Sequence, residues 1–139
     1  MNTVSVPQEK LSWVLFGIRA SVFLVLIMWT LDKLINPGHT AAVFKTFYAI
    51  SDIGPSLILA MGIVQAAIVI SFLIGFQKRW MTLIILVLHL GSTLAPMARY
   101  FDPFANLLFF AAWPILAAIV GLYVLRDFDT KFSIDKPAQ

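Results

Sequence analysis

Four long apolar runs separated by polar breaks organise the chain, covering roughly residues 11–35, 54–76, 80–98 and 104–125. A helix needs about 20 apolar residues to cross about 30 Å of hydrocarbon, and each run is close to that length. None of the runs alternates with a period of two, and a segment in lipid must satisfy its own backbone, so helices are expected and strands are not. The pattern predicts an all-α membrane protein: a four-transmembrane-helix bundle in one domain, with polar tails at residues 1–10 and 126–139. The connections are unequal. Gln77, Lys78 and Arg79 alone join the second and third runs, which must therefore be antiparallel neighbours. The first connection, Asn36 to Ile53, is long and opens with the turn signal Asn36-Pro37-Gly38. Within His39–Ile50, the spacing of Val43, Phe44, Phe47 and Tyr48 predicts a short amphipathic helix at the membrane surface, between helices one and two. Trp113-Pro114 predicts a kink in the fourth run.

Composition sharpens this reading. Hydrophobic residues make up 60% of the 139 positions and charged residues 12%, with mean hydropathy +0.91. A soluble domain carries about 25% charged residues, and a chain this short buries too little surface to hide so many apolar side chains. A soluble globular domain and a disordered chain are both excluded. The net charge of +3 is spread too thinly for a nucleic-acid surface, so no nucleic-acid partner is expected. Lys and Arg near the run ends divide unequally. Six (Lys10, Lys78, Arg79, Arg126, Lys131, Lys136) lie on the side of both termini, and three (Lys33, Lys45, Arg99) lie opposite. Positive charge favours the inside, which predicts a multi-pass protein of a bacterial inner (cytoplasmic) membrane with both termini in the cytoplasm. Cysteine is absent, which excludes disulfides and thiolate metal sites.

Polar groups inside apolar runs are the candidates for chemistry, because burying them in lipid is costly. At 1.5 Å per residue, Arg19, Gln65 and His89 lie about 12, 16 and 13 Å from the cytoplasmic ends of their runs. The counting predicts one midplane layer, either a ligand site or a structural network. As a ligand site it would accept a polar head such as a quinone carbonyl, with His89 and Arg19 as donors. No cofactor is expected unless this layer holds a quinone. No metal site is expected, since His39 and His89 are far apart and no carboxylate lies deep in a run. No catalytic residue is identified. A second polar cluster, containing Asp32, Lys33, His39, Arg99 and Asp102, gathers at the opposite end as a candidate partner-binding face. The small residues Ser56, Ala60, Ala67, Ser71 and Gly75 form a ridge on the second run, over which another helix can approach closely.

Taken in order, several of these features resemble the DoxX family of small four-helix bacterial membrane proteins. They are Arg19 early in the first run, Trp29-Thr-Leu-Asp32-Lys33 at its end, Asn36-Pro37, the aromatic segment Phe44-Lys-Thr-Phe47-Tyr48, and Gly75-Phe-Gln-Lys-Arg79. The similarity covers roughly residues 15 to 126. Members often carry a Glu where Gln65 stands here, which removes a titratable carboxylate. The resemblance implies an association with membrane redox chemistry. The expected function is that of a non-catalytic accessory subunit in a membrane-bound redox or respiratory complex, embedded in the bilayer beside other subunits or as a homo-oligomer. A quinone- or lipid-binding subunit and a small oligomeric transporter or channel are the alternatives.

Overall fold

The computed structural model describes residues 5–135. The ends of both predicted tails, residues 1–4 and 136–139 with Lys136, lie outside the described residues. Every regular element described is helical: α1 (Gln8–Ile35), α2 (Pro37–Tyr48), α3 (Pro55–Leu73), α4 (Lys78–Leu94) and α5 (Ala112–Val124). Two short 3-10 segments, Met97–Phe101 and Leu107–Ala111, lead from α4 into α5. Three stretches are long and apolar enough to cross a membrane: Gln8–Ile35, Pro55–Leu73 and Leu107–Val124. The helix expected over residues 80–98 is shorter, with 17 residues from Lys78 to Leu94. At 1.5 Å per residue it is about 26 Å long, against about 42 Å for α1. It ends early because Ala95-Pro96 passes into the 3-10 segment.

The breaks follow from local chemistry. Pro37 occupies the first turn of α2, where its fixed φ fits and its missing N–H costs nothing. Asn36 separates α2 from α1, its N–H donating to the Asp32 carbonyl at 2.7 Å. Ala49 turns left-handed at φ 54° and stops α2. A helix is therefore present where the amphipathic segment was expected, shifted by two residues at each end of its range. At Trp113-Pro114 the expected disturbance takes another form: the helix changes from 3-10 to α just before that pair, and Pro114 enters α5 in its first turn.

α1 packs most extensively on α3 and also touches α5 and α2, while α4 packs on α5 and α3. The order around the bundle is thus α3, α1, α5, α4, which places α1 and α4 on a diagonal. Gly62 lets α1 and α3 approach closely: a Cβ there would stand 2.7 Å from Leu34 Cδ2 and 3.3 Å from Lys33 Cβ. The apolar core joins Leu15, Val22, Phe72, Ile85, Ile119 and Leu122 from α1, α3, α4 and α5. Most other large apolar side chains face outward, among them Leu24, Met28, Ile63, Val64 and Val87. In water each would carry an unfavourable hydration cost of about 25 cal/mol per Å², whereas lipid removes that cost. The ridge on α3 also faces outward at Ser56, Ala60 and Ala67, so it is not consumed by packing inside the bundle.

Candidate functional site

The segment after α5 does not trail into solvent. It folds back beneath the bundle at the end where α1 starts and α3 meets α4, and it closes over Arg19. That arginine is 1% exposed. Its Nη1 donates to Asp129 Oδ2 at 2.8 Å, and its Nη2 donates to the carbonyls of Lys131 and Phe132 at 2.5 and 3.2 Å. The guanidinium also lies 5.5 Å from the centre of the Phe16 ring. Asp129 is itself 3% exposed, and its backbone carbonyl accepts from Lys78 Nζ at 2.8 Å. Ser12, about two turns before Arg19 on the same face of α1, donates to the Phe128 carbonyl at 2.7 Å and meets Thr130 Oγ1 at 3.1 Å.

Two more contacts fix the segment. Ile134 and Asp135 donate their N–H groups to the carbonyls of Ile74 and Gly75 at 2.9 and 3.0 Å. The Asp135 carboxylate then accepts from the N–H groups of Gln77 and Lys78 at 3.0 and 2.7 Å. These are the free donors at the start of α4, which has no cap from a side chain of its own. A carboxylate there satisfies the orphan N–H groups and suits the positive end of the helix dipole. Gly75 makes this approach possible. Its φ is +62°, and an added Cβ would stand 2.9 Å from Ser133 Cα.

Electrostatically the clasp is a buried pair with a neighbour. Burial pushes the Asp129 carboxyl above the ordinary carboxylate range, against the opposing pull of Arg19 and Lys78. The fit is also incomplete, since Arg19 Nε and Asp129 Oδ1 are buried and have no hydrogen-bond partner among the described residues.

This arrangement differs from the expected midplane layer. No hydrogen bond among the described residues links Arg19, Gln65 and His89. His89 is 9% exposed, and its Nε2–H donates to the Ala112 carbonyl at 3.0 Å, tying α4 to the start of α5. Gln65 is half-buried on α3. Arg19 and His89 are bonded toward opposite ends of α5: His89 meets Ala112 at its start, whereas Arg19 meets the segment that follows its end.

The opposite end divides in the same way. Asp32 and His39 do come together, Nδ1 to Oδ2 at 2.7 Å, across the α1–α2 break. Lys33 Nζ turns back to the Trp29 carbonyl at 3.4 Å. Arg99 lies 6.0 Å from the centre of the Phe47 ring, and Asp102 is exposed, its backbone carbonyl accepting from Asn106 Nδ2 at 2.9 Å. No group of three or more potential metal ligands gathers among the described residues. The residues that sequence reasoning passed over are Asp129, Asp135 and Lys78. A deep arginine needs a carboxylate, and the only carboxylates close in sequence to that end of the bundle, apart from Glu9, are Asp127, Asp129 and Asp135.

Comparison of the chain with family models, with curated proteins and with solved structures finds no match.

Proposed function

We propose that this protein is a non-catalytic accessory subunit, embedded by four membrane-crossing helices with both termini in the cytoplasm, that packs against other subunits of a membrane-bound redox or respiratory complex. One observation carries the accessory role: the deepest cation, Arg19, is taken up by the chain's own Asp129. A side chain spent on holding the fold is not one that holds a substrate. The outward ridge Ser56, Ala60 and Ala67 on α3 supports helix-to-helix packing with a partner. The redox setting rests on the resemblance to the DoxX family. α4 crosses with its 17 residues if the 3-10 turn at Met97–Phe101 completes the depth.

A second reading, a lipid- or quinone-binding subunit, is favoured by a groove between α1 and α5. Ile18, Val22, Val25, Ile115 and Ala118 line it, with Ser21 and Pro114 as its polar and rigid points. Its apolar walls suit a hydrocarbon tail. Purification of the tagged chain in mild detergent separates the readings. Larger subunits that co-migrate and are lost on Ala60→Leu/Ala67→Leu support the accessory role. A lone chain that retains quinone supports the second.

A further inference from the structure

We infer that the Asp32–His39–Trp29 recess at the end of α1 binds the primary ammonium head group of a zwitterionic phospholipid of the phosphatidylethanolamine class. The inference goes beyond the accessory role and rests only on α1 crossing the membrane. Asp32 and His39 are 2.7 Å apart through Nδ1. A carboxylate only accepts, so the proton of the neutral imidazole sits on Nδ1, and Nε2 is left as an acceptor. Nε2 has no partner among the described residues. The Trp29 indole stacks on the imidazole at 6.4 Å and 16° and stays half exposed. With Met28 these residues line a shallow, largely open recess of about 290 Å³.

The chemistry of the walls selects the ligand. The lining offers a carboxylate, an imidazole acceptor and an aromatic surface, while the Lys33 ammonium lies outside it, turned back to the Trp29 carbonyl and near enough to Asp32 to interact with its charge. An anionic head group meets a carboxylate and no cation within the lining itself. A primary ammonium offers three donors to Nε2 and the carboxylate, and its charge is attracted to the aromatic face of Trp29. A quaternary ammonium keeps the charge but lacks the donors. Position adds the lipid. Trp29 and Asp32 stand near the end of a helix long enough to span, where tryptophan settles at the head-group level. One turn and two turns below Asp32, Met28 and Leu24 face outward at 59% and 61% exposure and form a track for an acyl chain.

The test uses the full chain in detergent, depleted of lipid and then offered phosphatidylethanolamine, phosphatidylcholine and phosphatidylglycerol with identical acyl chains. Retained lipid is read by native mass spectrometry. The expected result is a preference of about tenfold for phosphatidylethanolamine over phosphatidylcholine, or about 1.4 kcal/mol. Phosphatidylglycerol binds weakest, and Asp32→Asn removes the preference. Trp29→Leu, which leaves the Asp32–His39 hydrogen bond intact, reduces the preference too and guards against Asp32→Asn acting by loosening the α1–α2 junction. Equal retention of the three lipids by the wild-type chain overturns the inference. So does a preference that survives both substitutions. Free ethanolamine competing as well as the lipid overturns the assignment to a membrane lipid.

Discussion

A single arginine in an apolar helix sets a problem that the chain must solve internally. Arg19 lies on the same face of α1 as Ser12, Leu15 and Val22, all buried, so it points into the bundle. Removing one member of a buried ion pair costs about 3–5 kcal/mol, because the other is left uncompensated. We expect Arg19→Leu to destabilise the protein by about 3 kcal/mol, near the low end of that range, since an isolated Asp129 can take up a proton instead. Arg19→Leu/Asp129→Leu should recover most of the loss, as replacing both charges by apolar groups often does. Denaturation in detergent, followed by helical signal, measures both. The pH response has a definite sign. The folded-state pKa of Asp129 is raised by burial, so the native state holds this proton more tightly than the unfolded chain. The native state then binds more protons in the window just above the ordinary carboxylate range, and stability from this group falls as pH rises through it. Asp129→Asn should abolish that component of the pH profile, and an unchanged profile would show that another group is responsible. Arg19 was legible in the sequence as a costly residue. Its partner was not, because depth counting along straight helices places Arg19 beyond the reach of a tail read as solvated.

Among the elements, what could be read depended on how continuous each apolar run was. α1 and α3 follow their runs closely, since nothing inside them interrupts a helix. α4 and the approach to α5 do not, because Pro96, Pro103 and Pro114 divide hydrophobic stretches that look continuous by composition. Backbone there tightens into 3-10 turns, a difference of hydrogen-bond pattern that hydropathy does not register. The α3–α4 turn is the element on which the clasp depends. Gly75 is both left-handed and overlaid by Ser133, so Gly75→Ala carries a conformational cost of about 1–2 kcal/mol as well as a clash. We expect this substitution to release the segment after α5 while α1, α3 and α5 stay helical. Protease cleavage between Arg126 and Asp135, slow in the wild type and fast in the variant, reports it. Equal cleavage rates would mean that the clasp holds without this turn.

For the whole molecule, the four helices close a ring in which each long element has two principal neighbours, and the polar contacts gather at the two ends. The end with the clasp also holds Lys10, Lys78, Arg79, Arg126 and Lys131. If this excess sets the orientation, a periplasm-dependent reporter fused to the C-terminus should be inactive, and the same reporter placed in the α2–α3 connection near Asp52 should be active. The opposite pattern would invert the proposed topology. The contact between α1 and α3 through Gly62 holds the far end together, while the segment after α5 holds the near one.

The separation between Arg19 and Asp129 has a consequence for how the molecule is made. Their partnership spans 110 positions of sequence. A ribosome adding about 5–20 residues per second needs roughly 5–20 s to cover that distance. During that interval Arg19 has been made and its counter-ion does not yet exist. The clasp can close only after all the helices between its two partners have been made.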